Sequence, residues 1–355
     1  MKQNLYIFSD TNLKRKQNTL FFESVVSEDS EDDMEILTEE YLLDNKNLIP
    51  SGDKKYIPVE AVDSVFAVGT ISFNSRFLYF LSQNRIPLHC FSLKGSYAGS
   101  FFPAEQTFSG SVLVKQIENY NNYEKRLYLA KQIISASVNN MLANLKYYQS
   151  RGNYLHDYIE HIEEFEAEIA GAETVGQIMG FEGQVRKIYY RCWQQIFSYP
   201  VNFFKRVKNP PDNMVNALIS YGNMIIYGTI LNEIYNTRIY PEIGFIHEPG
   251  DNKLSLTYDL ADIFKPIIID RVIFKLINKH ILSEKQFIAR NGFCRINKKA
   301  KQIYSREIED KLFTKITVDG LYNKLSYKRI IREECLKLIK HFEGTEKYKA
   351  FRIKW

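Results

Sequence analysis

A histidine followed by two aspartates is the first pattern in the sequence that could do chemistry. His247 ends the apolar run "YPEIGFIH", and Asp259 and Asp262 come after the cluster "EPGDNK", whose composition is typical of a turn. The two aspartates share one face if their segment is helical, because residues three apart on a helix are neighbours. A turn that brings the imidazole back over these carboxylates would supply half of a metal site.

The other half would have to come from elsewhere, and Glu182 in "MGFEGQVRKIYY" is the candidate. Gly180 and Gly183 flank it at what reads as the start of a helix. Glycine weakens helices, so this pair suggests a close approach of another backbone. Three acids and one imidazole would offer hard oxygen ligands and one nitrogen, which suit Mg²⁺ or Mn²⁺ better than zinc.

Each of these residues also has a simpler interpretation. A single histidine such as His247 is more often a hydrogen-bonded core residue than a ligand, and Asp259 and Asp262 could be first-turn acids placed against a helix dipole. A second group, His156, Asp157 and His161, resembles the pattern of metal-dependent phosphohydrolases. Its helix is so rich in glutamate that a solvated face is the simpler explanation. Phosphate-binding loops of the G-x-x-x-x-G-K-[ST] type and H-E-x-x-H zinc motifs are absent from the sequence.

Charge is distributed unevenly along the 355 residues. Residues 271–355 contain 22 Lys and Arg against 9 Asp and Glu, a net of +13, so a total of +5 leaves 5 − 13 = −8 for residues 1–270. Ten acids and no base lie between residues 23 and 44, a run that predicts an exposed loop or strand face. The basic last quarter favours an anionic partner, with nucleic acid first and a membrane surface second. Solvated helix faces are the alternative.

The hydrophobic pattern changes near residue 100. Before it, short aromatic and β-branched runs predict strands, with one helix in "SFNSRFLYFLSQN" capped by Ser72. The Gly- and Ser-rich stretch 92–110 predicts a linker. After it, apolar stripes at helical spacing predict long helices, including one of about ten turns over 114–148. We therefore expect an α+β protein with a small β-rich domain over 1–100 and a large all-α domain over 101–355.

The compartment is also suggested by the sequence. The four cysteines lie far apart without metal-ligand spacing and read as buried thiols. The first ten residues do not form a signal peptide, and no run approaches the ~18 apolar residues of a membrane span. A cytoplasmic protein is expected.

Four segments in order, "GFEGQVRKIYY", "NPPDNMVNALISYG", "GFIH" and "YDLADIFKPIIIDR", resemble the CRISPR-associated integrase and endonuclease family, the first Cas protein of spacer acquisition. The likeness extends to "KKYIPVEAVDSVFAV" near the start and "YKAFRIKW" at the end, so it spans nearly the whole chain.

The resemblance implies roles for individual residues. The metal ligands of the family fall on Glu182, His247 and Asp262, where many members carry Glu at the last position. Asp259 falls on a neighbouring aspartate that we treat as accessory, and Lys265 stands where many members carry Arg. The accessory positions Asn216 and Tyr221 match residues that line the same helical bundle. Arg186 is expected to contact phosphate or to form an ion pair with Glu182.

The resemblance also implies partners and an activity. It implies a metal-dependent DNA endonuclease and integrase that uses Mg²⁺ or Mn²⁺, a homodimer formed through the β-rich domain, and a small ferredoxin-like second Cas protein as partner. Double-stranded and branched DNA would be the substrate. The residues expected to bind it are Arg186, Lys187, Lys265, Arg295, Lys298, Lys299 and Lys301. A DNA-binding scaffold of the same fold without catalysis is the alternative.

Overall fold

The computed structural model describes residues 2–27, 48–92, 97–104, 109–208, 210–251, 253–290, 292–318 and 323–354. The chain divides into two compact units, Met1–Gln106 and Thr107–Trp355. The first is rich in strands and the second is mostly helical, so the expected α+β class is confirmed. Residues 28–47, which hold most of the acidic run, lie outside the described residues.

The described residues of the first unit form two four-stranded sheets, one α-helix and one short 3-10 turn, Val59–Ala61. One sheet has the order β1-β5-β7-β8, in which β8 alone is antiparallel to its neighbour. Its strands are β1 (Gln3–Ile7), β5 (Val62–Ala67), β7 (Leu88–Phe91) and β8 (Tyr97–Phe101). The other sheet has the order β4-β3-β2-β6. Its strands are β2 (Thr11–Lys16), β3 (Thr19–Ser27), β4 (Leu48–Pro58) and β6 (Ile71–Ser72).

The helix of this unit, α1 (Ser75–Gln83), begins later than the sequence suggested. Asn74, not Ser72, is its N-cap, because the Asn74 side chain accepts a hydrogen bond from the Phe77 amide at 3.1 Å. Ser72 lies in β6 instead. The predicted linker is also partly wrong, since β8 occupies its centre and pairs with β7. Phe77 and Leu81 of α1 are buried in the core of the unit.

The second unit is built from helices. They are α2 (Gly110–Asn121), α3 (Tyr123–Gln149), α4 (His156–Gly171), α5 (Val175–Arg191), α6 (Trp193–Ile196), α7 (Met214–Asn236), α8 (Ser255–Lys265), α9 (Arg271–Asn278), α10 (Lys298–Phe313) and α11 (Tyr327–Phe342). Two short antiparallel pairs, which the all-α prediction did not include, lie among them. They are β9 (Phe287–Arg290) with β10 (Phe293–Ile296), and β11 (Lys315–Ile316) with β12 (Leu325–Ser326).

The predicted ten-turn helix is in fact two helices, α2 and α3. The break falls at Asn122, whose extended backbone lets its side chain accept a hydrogen bond from the Lys125 amide at 3.0 Å. Asn is a good N-cap and a poor interior helix residue, so it ends one helix and starts the next.

Helix α7 is the centre of the second unit. It is long and apolar enough to pass a length-and-composition test for a membrane span, contrary to the sequence expectation that no stretch would. Within the described chain, 83% of its apolar window is buried. It therefore has the character of a core helix, with apolar residues on every side.

A π-helical turn, Pro266–Asp270, joins α8 to α9. Pro266 has no N–H and cannot continue the α-helical hydrogen-bond pattern, which explains the change of pitch. Two buried asparagines of α3 accompany this turn. Asn140 donates to the Ile263 carbonyl at 2.8 Å, and Asn144 donates to the Pro266 carbonyl at 2.7 Å. Together they fix the end of the helix that carries Asp262.

Candidate metal centre

The buried carboxylate of Asp259 organises the segment that ends at His247. Its Oδ2 accepts from the amides of Phe245 and Ile246 at 2.6 and 3.0 Å, and its Oδ1 accepts from the His247 amide at 3.0 Å. Phe245 and its neighbours form an irregular segment, not a strand. One side chain of α8 thus satisfies backbone donors that a buried loop would otherwise leave unpaired.

The same carboxylate orients the His247 ring. Nδ1 of His247 lies 2.7 Å from Asp259 Oδ1. A carboxylate only accepts, so Nδ1 carries the proton and donates. Nε2 makes no hydrogen bond to a residue that the structure describes, and the side chain is 39% exposed. Burial works to lower the pKa of His247, but the hydrogen bond and charge of Asp259 raise it above its usual value.

Gly244 allows this close approach. A Cβ there would lie 2.7 Å from Asp259 Oδ2 and 2.8 Å from the Ser255 backbone. Gly180 and Gly183 are different. They lie inside α5, not at its start, and a Cβ at either would meet nothing within 4 Å, so the close approach expected there is not made to another described part of the chain.

We expect Gly244→Ala to lower the free energy of unfolding by about 1–3 kcal/mol, because the added methyl must push the loop away from α8. Gly180→Ala is the matched control and should raise it by about 0.5–1 kcal/mol, since alanine favours an open helical site. Urea unfolding measures both. A Gly244→Ala variant as stable as the parent protein would contradict the close packing of the loop.

Side chains of α2 and α3 hold the rest of the histidine loop. Gln116 donates to the carbonyls of Tyr240 and Ile243 at 2.9 and 2.8 Å. Arg126 donates to the Phe245 carbonyl at 3.1 Å and pairs with Glu248 at 2.7 Å. Neither residue was predicted from the sequence, although a polar Gln116 within an apolar helical stripe was a usable signal.

The carboxylates of Glu182 and Asp262 are joined by Arg186. Its Nε pairs with Glu182 one turn earlier on α5, and its Nη2 pairs with Asp262 of α8 at 2.8 Å. Lys265 adds a second cation to Asp262 at 3.0 Å. Of the two roles expected for Arg186, the structure contains the ion pair with Glu182 and extends it to Asp262.

The cations keep Asp262 charged although it is buried. Burial alone would raise the pKa of Asp262, but Lys265 and Arg186 hold it below its ordinary value. Conversely, Asp262 raises the pKa of Lys265 against the effect of burial. Asp270 is also buried, and burial raises its pKa to about 7. The site therefore combines an ionised carboxylate with two permanent cations.

Asn216 and Tyr221 hold α7 to neighbouring segments of the helical bundle. Asn216 is buried in the first turn of α7 and accepts from the Val207 amide and from Arg206, both at 3.1 Å. Tyr221 is paired with Ser305 of α10 at 2.9 Å. Asn216 also donates to the Lys205 carbonyl at 3.0 Å and to Asp212 at 2.8 Å, and no described hydrogen bond joins Asn216 or Tyr221 to the three predicted ligands.

The basic residues predicted to bind DNA fall in three places. Lys265 and Arg186 lie at the carboxylates, while Lys187 is exposed on α5. The remaining four lie where β10 leads into α10. Lys298 and Lys299 are exposed there, and Arg295 lies close enough to Lys301 to help burial lower the pKa of that lysine.

The alternative group on α4 does not gather into a site. His156 is exposed and pairs with Glu160 at 3.2 Å. In the described parts of the chain, no group of three or more His, Cys, Asp and Glu side chains is arranged to hold a metal ion. This holds for α4 and also for the predicted ligands, of which Glu182 and Asp262 pair with Arg186 or Lys265 and His247 pairs with Asp259.

Comparison with known proteins identifies the family. The family model described as "CRISPR associated protein Cas1" matches residues 5–310. A protein of Fusobacterium nucleatum named "CRISPR-associated endonuclease Cas1" is 39% identical over all of this chain and 98% of its own length. This chain belongs to the Cas1 family.

Solved structures agree with that assignment. The Cas1 protein of Thermotoga maritima is 32% identical, with a TM-score of 0.79 over 99% of this chain and all of its own. A casposase bound to its integration product has a TM-score of 0.81 over all of this chain and 96% of its own. At 17% identity, that second likeness shows the fold alone.

The side chains of this Cas1 family member fit a divalent ion in their chemistry. Two carboxylates supply hard oxygen ligands, and a histidine whose Nδ1 is tied to a buried carboxylate presents Nε2, as metal-binding histidines usually do. Arg186 and Lys265 balance the negative charge of the carboxylates, so a bound ion would have to compete with them for the carboxylate oxygens. The resemblance supplied the candidate ligands, whereas the contacts of Arg186 with both Glu182 and Asp262 are visible only in the fold.

Proposed function

We propose that this protein is a divalent-metal-dependent DNA endonuclease and integrase that inserts DNA fragments into a CRISPR array. The observation that carries the proposal is the pairing of Asp259 with His247, which fixes the imidazole beside the helix that bears Asp262. Family membership supports the reaction class, and the casposase, a protein of the same fold, is bound to an integration product.

Glu182, His247 and Asp262 would hold the ion, with Mg²⁺ or Mn²⁺ as the candidates. Bound there, the ion supplies Lewis-acid activation of the scissile phosphate and stabilises charge on the attacking and leaving oxygens. Asp259 keeps Nδ1 protonated, so that His247 offers Nε2. Arg186 and Lys265 lie beside the carboxylates as cations for a phosphate group, and Lys265 does so as a point charge because it lacks the bidentate geometry of Arg.

The residues favour transesterification over hydrolysis. A hydrolase gains from a general base that takes a proton from water. His247 is poorly suited to that role, because Nδ1 is committed to Asp259 and Nε2 would be a ligand. A DNA 3′-hydroxyl held in line gains from positioning, which can supply roughly 7–11 kcal/mol of the barrier.

The assembly that such positioning needs is part of the proposal. Two sites at a fixed separation require a homodimer, for which the first unit would be the dimerisation domain and the second the catalytic domain. A small ferredoxin-like second Cas protein would join two dimers in the cytoplasm. The cluster of Arg295, Lys298, Lys299 and Lys301 is the proposed contact with the backbone of duplex DNA.

The proposal is tested with DNA fragments that end in a 3′-hydroxyl or a 3′-deoxy sugar. Each is incubated with the protein, the second Cas protein, Mn²⁺ and a supercoiled plasmid carrying the repeat. Joined strands are expected only from the 3′-hydroxyl fragment. Equal nicking with both fragments and no joining would leave a nuclease, and neither nicking nor joining would leave a DNA-binding scaffold.

A further inference from the structure

A groove in the second unit lies between the end of α3, α9 and the last turns of α10. Its cavity measures about 420 Å³. The predicted metal ligands do not line it, so it is separate from the candidate metal centre. Five basic side chains do line it: Arg151, Arg271, Lys275, Lys279 and Lys311.

Two acids also line the groove and offset part of this charge. Glu307 pairs with Lys275 at 2.5 Å, and Asp310 is the other acid in the lining. Five bases less two acids give a formal charge of 5 − 2 = +3 in one concave surface. Concave basic surfaces concentrate the field and attract anions.

Lys311 lies close to other cations of the groove, so a bound anion would stabilise its charged form. Burial lowers the pKa of Lys311, and repulsion from Arg271 and Lys275 lowers it further, to about 8. Its Nζ lies 4.5 Å from the centre of the Tyr327 ring. A phosphate group in the groove would relieve the repulsion among these cations and hold Lys311 fully protonated.

Flat aromatic and guanidinium groups form the other part of the lining. The Arg271 guanidinium lies 3.9 Å from the centre of the Tyr147 ring, and that of Arg151 lies 4.5 Å from the same ring. Tyr148 packs edge-on against Phe274 at 5.3 Å. Rings and guanidinium planes are the surfaces on which unpaired bases stack.

We propose that this groove binds single-stranded DNA, with a backbone phosphate at Lys311 and Arg271 and a base against the exposed outer face of the Arg151 guanidinium, whose inner face covers Tyr147. The size of the groove matches small-ligand pockets and so suits an unpaired nucleotide. A duplex keeps its bases stacked inside and offers no base face for stacking except at its ends. The inference rests on the proposed function in that DNA is the ligand, and it adds a strand-specific contact in a groove that the predicted metal ligands do not line.

Binding is measured by fluorescence anisotropy with a labelled oligothymidylate in EDTA, where no strand cleavage or joining takes place. The double variant Lys311→Gln and Arg151→Gln should bind the single strand at least tenfold more weakly. Its salt slope should be smaller by about 0.7, since Lys311 is the one phosphate contact removed and each such contact to a single strand contributes about 0.7. Affinity for a blunt duplex should change less than threefold.

Lys347→Gln with Lys349→Gln is the matched control, since it removes the same charge from two exposed lysines near the end of the chain. It should bind the single strand nearly as the parent protein does. An equal loss in this control, an unchanged affinity in the groove variant, or an equal loss for duplex DNA would each overturn the proposal.

A second measurement uses the unmodified protein. Acetylation by an activated ester at pH 8, followed by mass spectrometry, should label Lys311 readily. Oligothymidylate in EDTA should slow that labelling at least fivefold and leave Lys347 unaffected. If oligothymidylate did not slow the labelling of Lys311, the proposal that single-stranded DNA binds in this groove would be wrong. Strand joining is not involved here, so a failed integration assay alongside protected Lys311 would contradict the proposed function and not this site.

Discussion

DNA cleavage and strand joining are expected to fall about a thousandfold or more when His247 is replaced by alanine or Glu182 by glutamine. A bound ion contributes several kcal/mol to a phosphoryl-transfer transition state, and about 1.4 kcal/mol corresponds to a factor of ten. Glutamine keeps the shape of Glu182 but loses the anionic oxygen that a hard cation prefers. Nicking of a branched DNA and joining to a repeat plasmid, each with Mg²⁺ and Mn²⁺, provide the measurement.

Both substitutions should leave the fold largely intact. His247 is partly exposed, and the Asp259 carboxylate retains its three backbone donors when the imidazole is removed. Glu164→Gln is the control, since it makes the same Glu-to-Gln change at an exposed residue of α4 that is not a predicted ligand. Full activity in either site variant, with a normal thermal unfolding curve, would show that these residues are not the ligands.

Helical periodicity predicted most of the second unit because its helices bury continuous apolar stripes. Where the prediction of helices failed, the cause was local and left no mark on the hydrophobic periodicity. Asn122 interrupts the stripe of α2 and α3 without a change in hydrophobicity, and it ends the helix through a side-chain cap. The basic, polar sequence of α10 obscured a helix whose buried side includes Tyr304 and Ile308.

The order of motifs identified Glu182, His247 and Asp262 as candidate ligands, but not the residues that position them. Asn140 and Asn144 contact carbonyls 123 and 122 residues away. Arg186 and Asp262 are 76 residues apart, and Gln116 contacts a carbonyl 127 residues away. Such pairings depend on how helices pack, and no local pattern encodes them. The β9–β10 pair was missed for a related reason, because four-residue strands carry little periodicity.

Arg186→Met is expected to destabilise the protein by roughly 3 kcal/mol in EDTA. Removing one partner of a buried ion pair typically costs about 3–5 kcal/mol, because the other charge stays buried without compensation. Asp262 still has Lys265, so we expect the lower end of that range. The pKa of Asp262 should rise in the variant, because Arg186 is one of the two cations that hold it down.

Mn²⁺ should stabilise this variant more than it stabilises the parent protein. In the parent, an ion and the Arg186 guanidinium compete for the oxygens of Glu182 and Asp262, and the competition weakens apparent affinity. Without the guanidinium, Glu182 loses its cation and Asp262 keeps only Lys265, so the ion meets more negative charge than in the parent. The increase in unfolding free energy is RT ln(1 + [L]/Kd), so a tenfold lower Kd adds about 1.4 kcal/mol at saturating ion.

The measurement is urea unfolding in EDTA and in Mn²⁺ for the parent, Arg186→Met and Arg191→Met. Arg191 is exposed at the end of the same helix, so its variant removes an equal charge without touching the carboxylates. Mn²⁺ should raise the free energy of unfolding of Arg191→Met by the same amount as that of the parent. A third variant, Arg186→Met with Glu182→Gln, should lose the extra gain, because one of the two carboxylates is gone. If Arg186→Met gained no more from Mn²⁺ than Arg191→Met, the ion would not share the oxygens that Arg186 engages, and the metal would have to be placed elsewhere.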